Sequence, residues 1–323
     1  MTSTMGGDPD SGAIDVSIVI RTYNEARWLP ELLAAIDRQA MHGMTREIVV
    51  VDSGSTDGTV QIAQEHGCRI VRIEQHRFSF GRSLNTGCHA ARGRWLVFIS
   101  GHCIPTDADW LHNLVTPLAR GVCVYAYGRQ QGHPELTRFS EGQLFRKYYP
   151  ETSAVPQEGF FCNNANAALL RSVWRLHPFD EELTGLEDMA LAKRLRDAGH
   201  ATGYVATSAV YHIHQERCRQ IKRRFEREAV ALKSIMPEVH VSFPDFVRYF
   251  VAGIVFDWSA ALAERRLSRA WLDICKYRLM QFYGTYRGNH EHRHLSRRMK
   301  EQYFFPQKRP AARALVAELE GPR

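Results

Sequence analysis

"EIVVVDSGSTDGT", residues 47–59, ends a β-branched run, Glu47 to Val51, on a carboxylate. After Asp52 the residues Ser53, Gly54 and Ser55 turn the chain, and Thr56-Asp57-Gly58-Thr59 opens a helix. Strand, turn and helix in that order form one unit of an α/β sheet. An acid at the strand end then raises a question: does it build the turn, or face a ligand? Working outward, "VSIVIRTY" (16–23) predicts an earlier strand. "EARWLPELLAAIDRQ" (25–39) carries Trp28, Leu29, Leu32, Leu33 and Ile36 at helical spacing. "CRIVRIE" (68–74) and "RWLVFIS" (94–100) are the third and fourth strands, with a helix over "SFGRSLNTGCHAARG" (79–93) between them. Strands alternating with helices of this length predict right-handed crossovers and a mostly parallel central sheet flanked by helices. Ligands of such sheets sit beyond the carboxyl ends of the strands, where Asp52 stands.

The remaining bounds are ordinary. The chain has 323 residues, 44% hydrophobic and 24% charged, room for one large α/β domain and an extension. Residues 1–14 read as a polar, flexible tail without an apolar signal core, 15–215 as the α/β domain and 216–323 as a helical, basic extension. Seven cysteines with no C-x-x-C pair suit a reducing compartment, so a cytoplasmic location is expected. The most apolar stretch, "FVRYFVAGIVFDWSAAL" (246–262), is interrupted by Arg248 and Asp257 and is read as too broken to span a bilayer. The net charge of +7 gathers after residue 215, in "ERCRQIKRRFERE" (216–228) and "EHRHLSRRMK" (291–300). Such a region suits an anionic membrane surface, and equally a solvated helix face with Glu/Arg pairs. Charge alone would also admit nucleic acid, but nothing in the first 200 residues asks for it.

Polar residues collect at four places: "RTYNEA" (21–26), "DSGSTDG" (52–58), "SGHC" (100–103) and "LEDMA" (186–190). Their order and spacing, with "GRSLNTGCHAARGRWLVFIS" (81–100), "NNANAALLRSVW" (163–174) and "FDEELTGLEDMALAKRLRDAGH" (179–200), resemble the inverting glycosyltransferases of family 2, which have the GT-A fold. The resemblance covers roughly residues 15 to 215. "FSFGRSLN" (78–85) and "VYHIH" (210–214) are similar to rhamnosyltransferase-like members that act on bacterial polysaccharides.

The resemblance implies a nucleoside-diphosphate sugar donor, UDP- or dTDP-linked, and a glycan or lipid-linked hydroxyl as acceptor. By it, Thr22, Tyr23, Asn24 and Glu25 cover the nucleoside, and Asp52 accepts from the base, with Ser53 turning the chain beside it. Residue chemistry keeps an alternative open at each: Asp52 as a turn former, Glu25 as a helix-start acid. Arg82 has the fork geometry for a diphosphate, or for a structural ion pair. The resemblance makes Asp188 the base that deprotonates the acceptor, with Glu187 beside it raising its pKa; the alternative is two acids complementing a helix N-terminus. Asn163, Asn164 and Asn166 can hydrogen-bond sugar hydroxyls, and Phe160, Phe161 and Trp174 can stack on a sugar ring or fill a core.

The departure is at Ser100-Gly101-His102. Family members usually carry an Asp-x-Asp motif here, whose last acid binds the cation that bridges the diphosphate. Three readings compete: His102 as a metal ligand, His102 as a donor to the diphosphate without metal, or a degenerate, inactive site. His212 and His214 sit at i and i+2 of a strand end and face one side. With His102 they make a candidate cation site that takes Mn²⁺ in preference to Mg²⁺, since imidazole suits the later metals better. The competing function is a nucleotide-sugar-binding protein without transferase activity.

Overall fold

The computed structural model describes residues 14–290. The first part of the chain runs β1 (Val16–Thr22), α1 (Leu29–Asp37), β2 (Arg46–Asp52), α2 (Thr59–Glu65), β3 (Arg69–Arg72), α3 (Phe80–Ala90), β4 (Trp95–Ser100) and β5 (Cys103–Pro105). Then come α4 (Trp110–Ala119), β6 (Tyr125–Gln131), α5 (Phe139–Tyr148), β7 (Asn166–Leu170), α6 (Arg171–Leu176), α7 (Glu187–Asp197) and β8 (Thr202–His212). Three helices follow: α8 (Cys218–Ile235), α9 (Phe243–Ala263) and α10 (Leu267–Asn289).

All eight strands form one sheet in the order β3-β2-β1-β4-β7-β6-β8-β5. The β3-β2-β1-β4 half is parallel, as the strand–helix alternation predicts. The other half is mixed: β7 runs antiparallel to both β4 and β6, and β5 antiparallel to β8. β4 and β5 are joined by only two residues, yet β7, β6 and β8 lie between them in the sheet.

Side chains alternate across the sheet into two cores. Ile18, Ile20, Val50, Val97 and Ile99 pack with Leu29, Leu32 and Leu33 of α1 and Trp110 and Leu114 of α4. Val19, Val49, Val51, Leu96 and Phe98 pack with Leu84 of α3 and Leu191 and Leu195 of α7. Burial on both faces is what makes β1, β2 and β4 read as continuous apolar runs. Each fully buried Leu or Ile stabilises the fold by roughly 1.5–3 kcal/mol. Helices α4 and α5 were not anticipated from the sequence; Pro117 inside α4 masks its pattern.

The seven cysteines are all free thiols. The tail of residues 1–13 and the basic stretch 291–300 lie outside the described residues. Within them, α9 corrects one expectation: despite Arg248 and Asp257, it is long and apolar enough to cross a membrane by length and composition. Asp257 does not interrupt the apolar surface because it is fully buried, in a two-pronged pair with Arg278 of α10 at 2.6 and 2.7 Å.

Candidate active site

The carboxyl ends of β1, β2 and β4, the end of β8 and the start of α7 converge on one region. Asp52 closes β2 and is buried. Its Oδ2 accepts from the backbone N–H groups of Gly54 (2.9 Å) and Ser55 (3.0 Å), and its Oδ1 from the hydroxyls of Thr22 (3.2 Å) and Ser55. A carboxylate offers about four acceptor positions, and all are taken. The opening question is thereby answered for this conformation: the acid builds the turn. A nucleobase N–H reaches Asp52 only by displacing one of these donors, most easily the Ser55 hydroxyl. Asp52→Asn is therefore expected to lower stability by about 1–3 kcal/mol, because an amide cannot accept all four donors, as thermal unfolding will show. Unchanged stability would remove the turn-building role.

The first loop is knitted to this turn. The Asn24 N–H donates to Ser55 Oγ (2.9 Å), its Oδ1 accepts from Thr56 N–H (2.9 Å), and the Glu25 N–H donates to Thr59 Oγ1 (2.8 Å). Asn24 is left-handed (φ 58°), a conformation its short polar side chain tolerates. Ser53 donates its N–H to the Thr22 carbonyl, and the Tyr23 hydroxyl accepts from Gln75. Loops 22–25 and 52–59 thus form one rigid wall.

Arg82 goes elsewhere. Its Nε donates to Glu181 (2.7 Å) and a terminal nitrogen to the Arg77 carbonyl (2.8 Å), which ties α3 to the segment before α7. The structural ion pair, rather than the diphosphate, occupies this guanidinium. Asn166 is likewise committed: its amide donates to the carbonyls of Arg129 and Ser208 and accepts from the Trp110 indole. Trp174 is core, bonded to Asn85. Phe160 lies under Arg196, and Phe161 stacks on the half-exposed Tyr148.

Three histidines meet at the other side. His102 follows Ser100 and Gly101 at the end of β4; His212 ends β8, and His214 lies two residues on, with Ile213 between them turned into the opposite core. One ring nitrogen from each lies within 4.8 Å of the others. Each Nδ1 has its own acceptor: Glu25 for His102 (2.7 Å), Gln130 for His212 (2.6 Å) and Glu141 of α5 for His214 (2.8 Å). An acceptor at Nδ1 fixes the proton there and leaves the Nε2 lone pair for a ligand, the usual outer-sphere arrangement of metal-binding histidine. Burial, with the charges of His214 and His102, pushes His212 well below the ordinary histidine range, so it is neutral. Burial pulls His102 the same way, but the Glu25 charge and hydrogen bond outweigh it and raise the pKa. The residues fit a divalent cation.

Two glycines serve this cluster. A Cβ on Gly101 would stand 2.8 Å from Glu25 Cγ, and one on Gly128 would stand 2.2 Å from the Ser208 carbonyl. Gly128 opens a bulge against β8 that re-aims Gln130 at His212.

The acids sit at the N-terminus of α7, after the left-handed Leu186 (φ 55°). Asp188 is buried, and accepts from the backbone N–H groups of Asn164 (2.9 Å) and Met189 (2.8 Å). Burial and the neighbouring Glu187 charge push its pKa up to about 7 against those hydrogen bonds. Glu187 is held by Arg21 at 3.2 Å. Asn164 also accepts from the Tyr125 hydroxyl, and its buried Nδ2 has no protein partner, so an acceptor hydroxyl could take it. Asn163 caps the same turn by accepting from Ala165 N–H.

Sequence reasoning missed Arg21, Gln130, Glu141, Glu216 and Arg224. Arg21 lies between the two halves: it pairs with Glu187, and its carbonyl accepts from Gly101 N–H. Arg224 of α8 holds Glu141 (2.9 Å) and Glu216 (2.8 Å) behind His214. Arg21, Gln130, Glu141 and Arg224 act on partners more than 70 residues away, which no local pattern reports.

A buried acid pair, a loop wall and a cluster of three histidines thus gather at the strand ends, where an α/β sheet takes its ligand. The family model described as glycosyl transferase family 2 matches residues 17–176. The chain is 30% identical to EpsH of Bacillus subtilis over 240 residues, 71% of this chain and 68% of that protein. It is 28% identical to the O-antigen chain rhamnosyltransferase RfbN of Salmonella typhimurium over 225 residues, 65% of this chain and 70% of the relative. Among solved structures it is similar to the mannosyltransferase PcManGT from Pyrobaculum calidifontis, with a TM-score of 0.59 and 18% identity over 88% of this chain and 89% of that one. The chain belongs to glycosyltransferase family 2, and its sheet with flanking helices is the GT-A fold.

Proposed function

We propose that this chain transfers a hexosyl or deoxyhexosyl group from a UDP- or dTDP-sugar to a hydroxyl of a glycan or glycolipid in cell-surface polysaccharide synthesis, with inversion at the anomeric carbon. The observation that carries the reading is Asp188, a buried carboxylate with its pKa near 7, where a general base works best. Its carboxylate takes the proton of the acceptor hydroxyl as that oxygen bonds the anomeric carbon. The bond to the diphosphate breaks on the far side, and the nucleoside diphosphate leaves with the electron pair. One base and one direct displacement invert the centre. Asn164 orients the acceptor, Asn163 shapes its turn, Arg21 holds Glu187 beside the base, and loops 22–25 and 52–59 hold the nucleoside next to Ser100 and Gly101.

His102, His212 and His214 would hold a divalent cation, which would supply charge neutralisation for the leaving diphosphate. Three neutral ligands leave its full double charge for that anion. They also favour Mn²⁺ over Mg²⁺, which prefers oxygen ligands and its own waters. The similarity to RfbN, an O-antigen chain rhamnosyltransferase, supports transfer of a deoxyhexosyl group, and PcManGT, of similar fold, was solved with a nucleotide sugar, GDP-Man, and Mn²⁺. We place the protein in the cytoplasm on the inner face of the membrane, consistent with free thiols.

Calorimetric titration with UDP and dTDP, each in EDTA, Mg²⁺ or Mn²⁺, tests this. Binding of either nucleotide, tightened most by Mn²⁺, is expected. Equal binding in EDTA removes the cation, and no binding under any condition removes the donor. The altered Ser100-Gly101-His102 stretch motivates the second reading, a donor-binding protein without turnover, which the same titration followed by a transfer assay separates.

A further inference from the structure

From the way α9 faces solvent we infer that α9 and α10 form a docking surface that lies in the interface of an anionic lipid bilayer. The helix is inside out. Of its residues only Asp257 and Ala261 are buried, and Asp257 is turned inward onto Arg278 of α10, which also donates to Gln281. The outward arc carries Val247, Val251, Val255, Phe256, Trp258 and Leu262, all exposed. From Phe243 to Leu262, Arg248 and Ser259 are the only exposed residues that are neither apolar nor aromatic. A helix in water places its apolar stripe on the core and its charges outside; an exposed apolar surface rimmed by charge marks a partner.

The neighbouring charges name the partner. α9, α10 and the turn between them carry the exposed cations Arg248, Arg265, Arg266, Arg269, Lys276 and Arg287, against the acids Asp245, Glu264 and Asp273. Two copies of such a surface repel each other, whereas an anionic bilayer attracts it, each nearby cation contributing. Trp258 and Trp271, exposed on α9 and α10, are of the residue type that settles at headgroup depth. The helix lies in the plane rather than across it. One side is packed on α10, which is itself packed on the charged α8, and a span would drag those charges into hydrocarbon.

The surface is mechanically joined to the catalytic region. Phe139 of α5 packs with Ala261 of α9 and Ile274 of α10, two residues from Glu141, which holds His214. Arg224, bonded to Glu141, also donates to the Tyr277 hydroxyl of α10. A bilayer under α9 therefore fixes the site's position above it. The inference deepens the transferase reading and rests on it in one respect: it makes the acceptor lipid-borne.

The test is sedimentation of the full chain with vesicles of phosphatidylcholine alone, or with phosphatidylglycerol added, without nucleotide. The expected result is capture by the anionic vesicles, weakened by salt. Val251→Glu with Val255→Glu, both far from the catalytic groups, should lower it by at least about tenfold while UDP affinity stays unchanged, which also shows that the variant folds. Equal capture by neutral vesicles overturns the anionic assignment. No capture overturns the docking surface, and a dimer that the variant dissociates would assign α9 to a second copy instead. Vesicle capture needs no donor, so its failure is separate from a failure of nucleotide binding.

Discussion

Asp188→Asn is expected to lower transfer by about 10²–10⁴-fold, with nucleotide affinity unchanged. The replacement has the same shape, and its oxygen can still accept from Asn164 or Met189, so the start of α7 should persist. What it removes is the proton acceptor. The wild-type pH profile should carry the same signature: kcat/KM rises with pH and levels above an apparent value near 7 that belongs to the Glu187–Asp188 pair. Stability runs the other way. The folded pKa is raised above the unfolded value of about 3.9, so the native state holds this proton more tightly. Its contribution is complete below about pH 4 and is lost as pH rises through 7. In Asp188→Asn that loss disappears, and the dependence of Tm on pH between 4 and 7 should flatten. Full transfer activity in this variant, with normal donor binding, would take the role of base away from Asp188.

The second large effect concerns the cation. His102→Ala is expected to lower Mn²⁺ affinity by about 100-fold or more, and Glu25→Gln, which touches no metal, by roughly 10–100-fold, because an outer-sphere acceptor sets the ring and its tautomer. Equilibrium dialysis or the electron-spin signal of free Mn²⁺ reads both without turnover. Affinity should also fall with decreasing pH, since His102 holds its proton more tightly than an ordinary histidine and must release it to bind. Mn²⁺ binding that survives His102→Ala would leave the three-histidine arrangement as packing.

The site's positions could be read along the chain partly from the family resemblance and partly from local periodicity. His212 and His214 share a face through the two-residue repeat of a strand, and Glu187-Asp188 are adjacent in sequence at a helix start. Asp52 was correctly set at a strand end, but its role was not legible. Thr22, 30 residues earlier, is among the donors that saturate it, and no spacing rule reports that. Arg82 misled for the same reason: its partner, Glu181, is 99 residues away. β5 was missed because it has three residues, too short to show a period, and the antiparallel direction of β7 is set by pairings with β4 and β6 that no local pattern reports.

By itself, then, the sequence determined the alternating strands and helices and the strand-end positions of the polar loops, and it offered the acid pair and the three histidines as candidates. The strands and helices follow from contacts between residues a few positions apart, where backbone geometry dictates the outcome, whereas the acid pair and His102 were singled out by the family resemblance. Only the tertiary structure decided which acceptor holds each imidazole, that Arg21 joins acid and cation halves, that Asp52 is spent on its own turn, and that α9 turns its acid inward. Those are pairings between distant segments, and a pairing is chosen by which groups must be satisfied once burial has taken the water away.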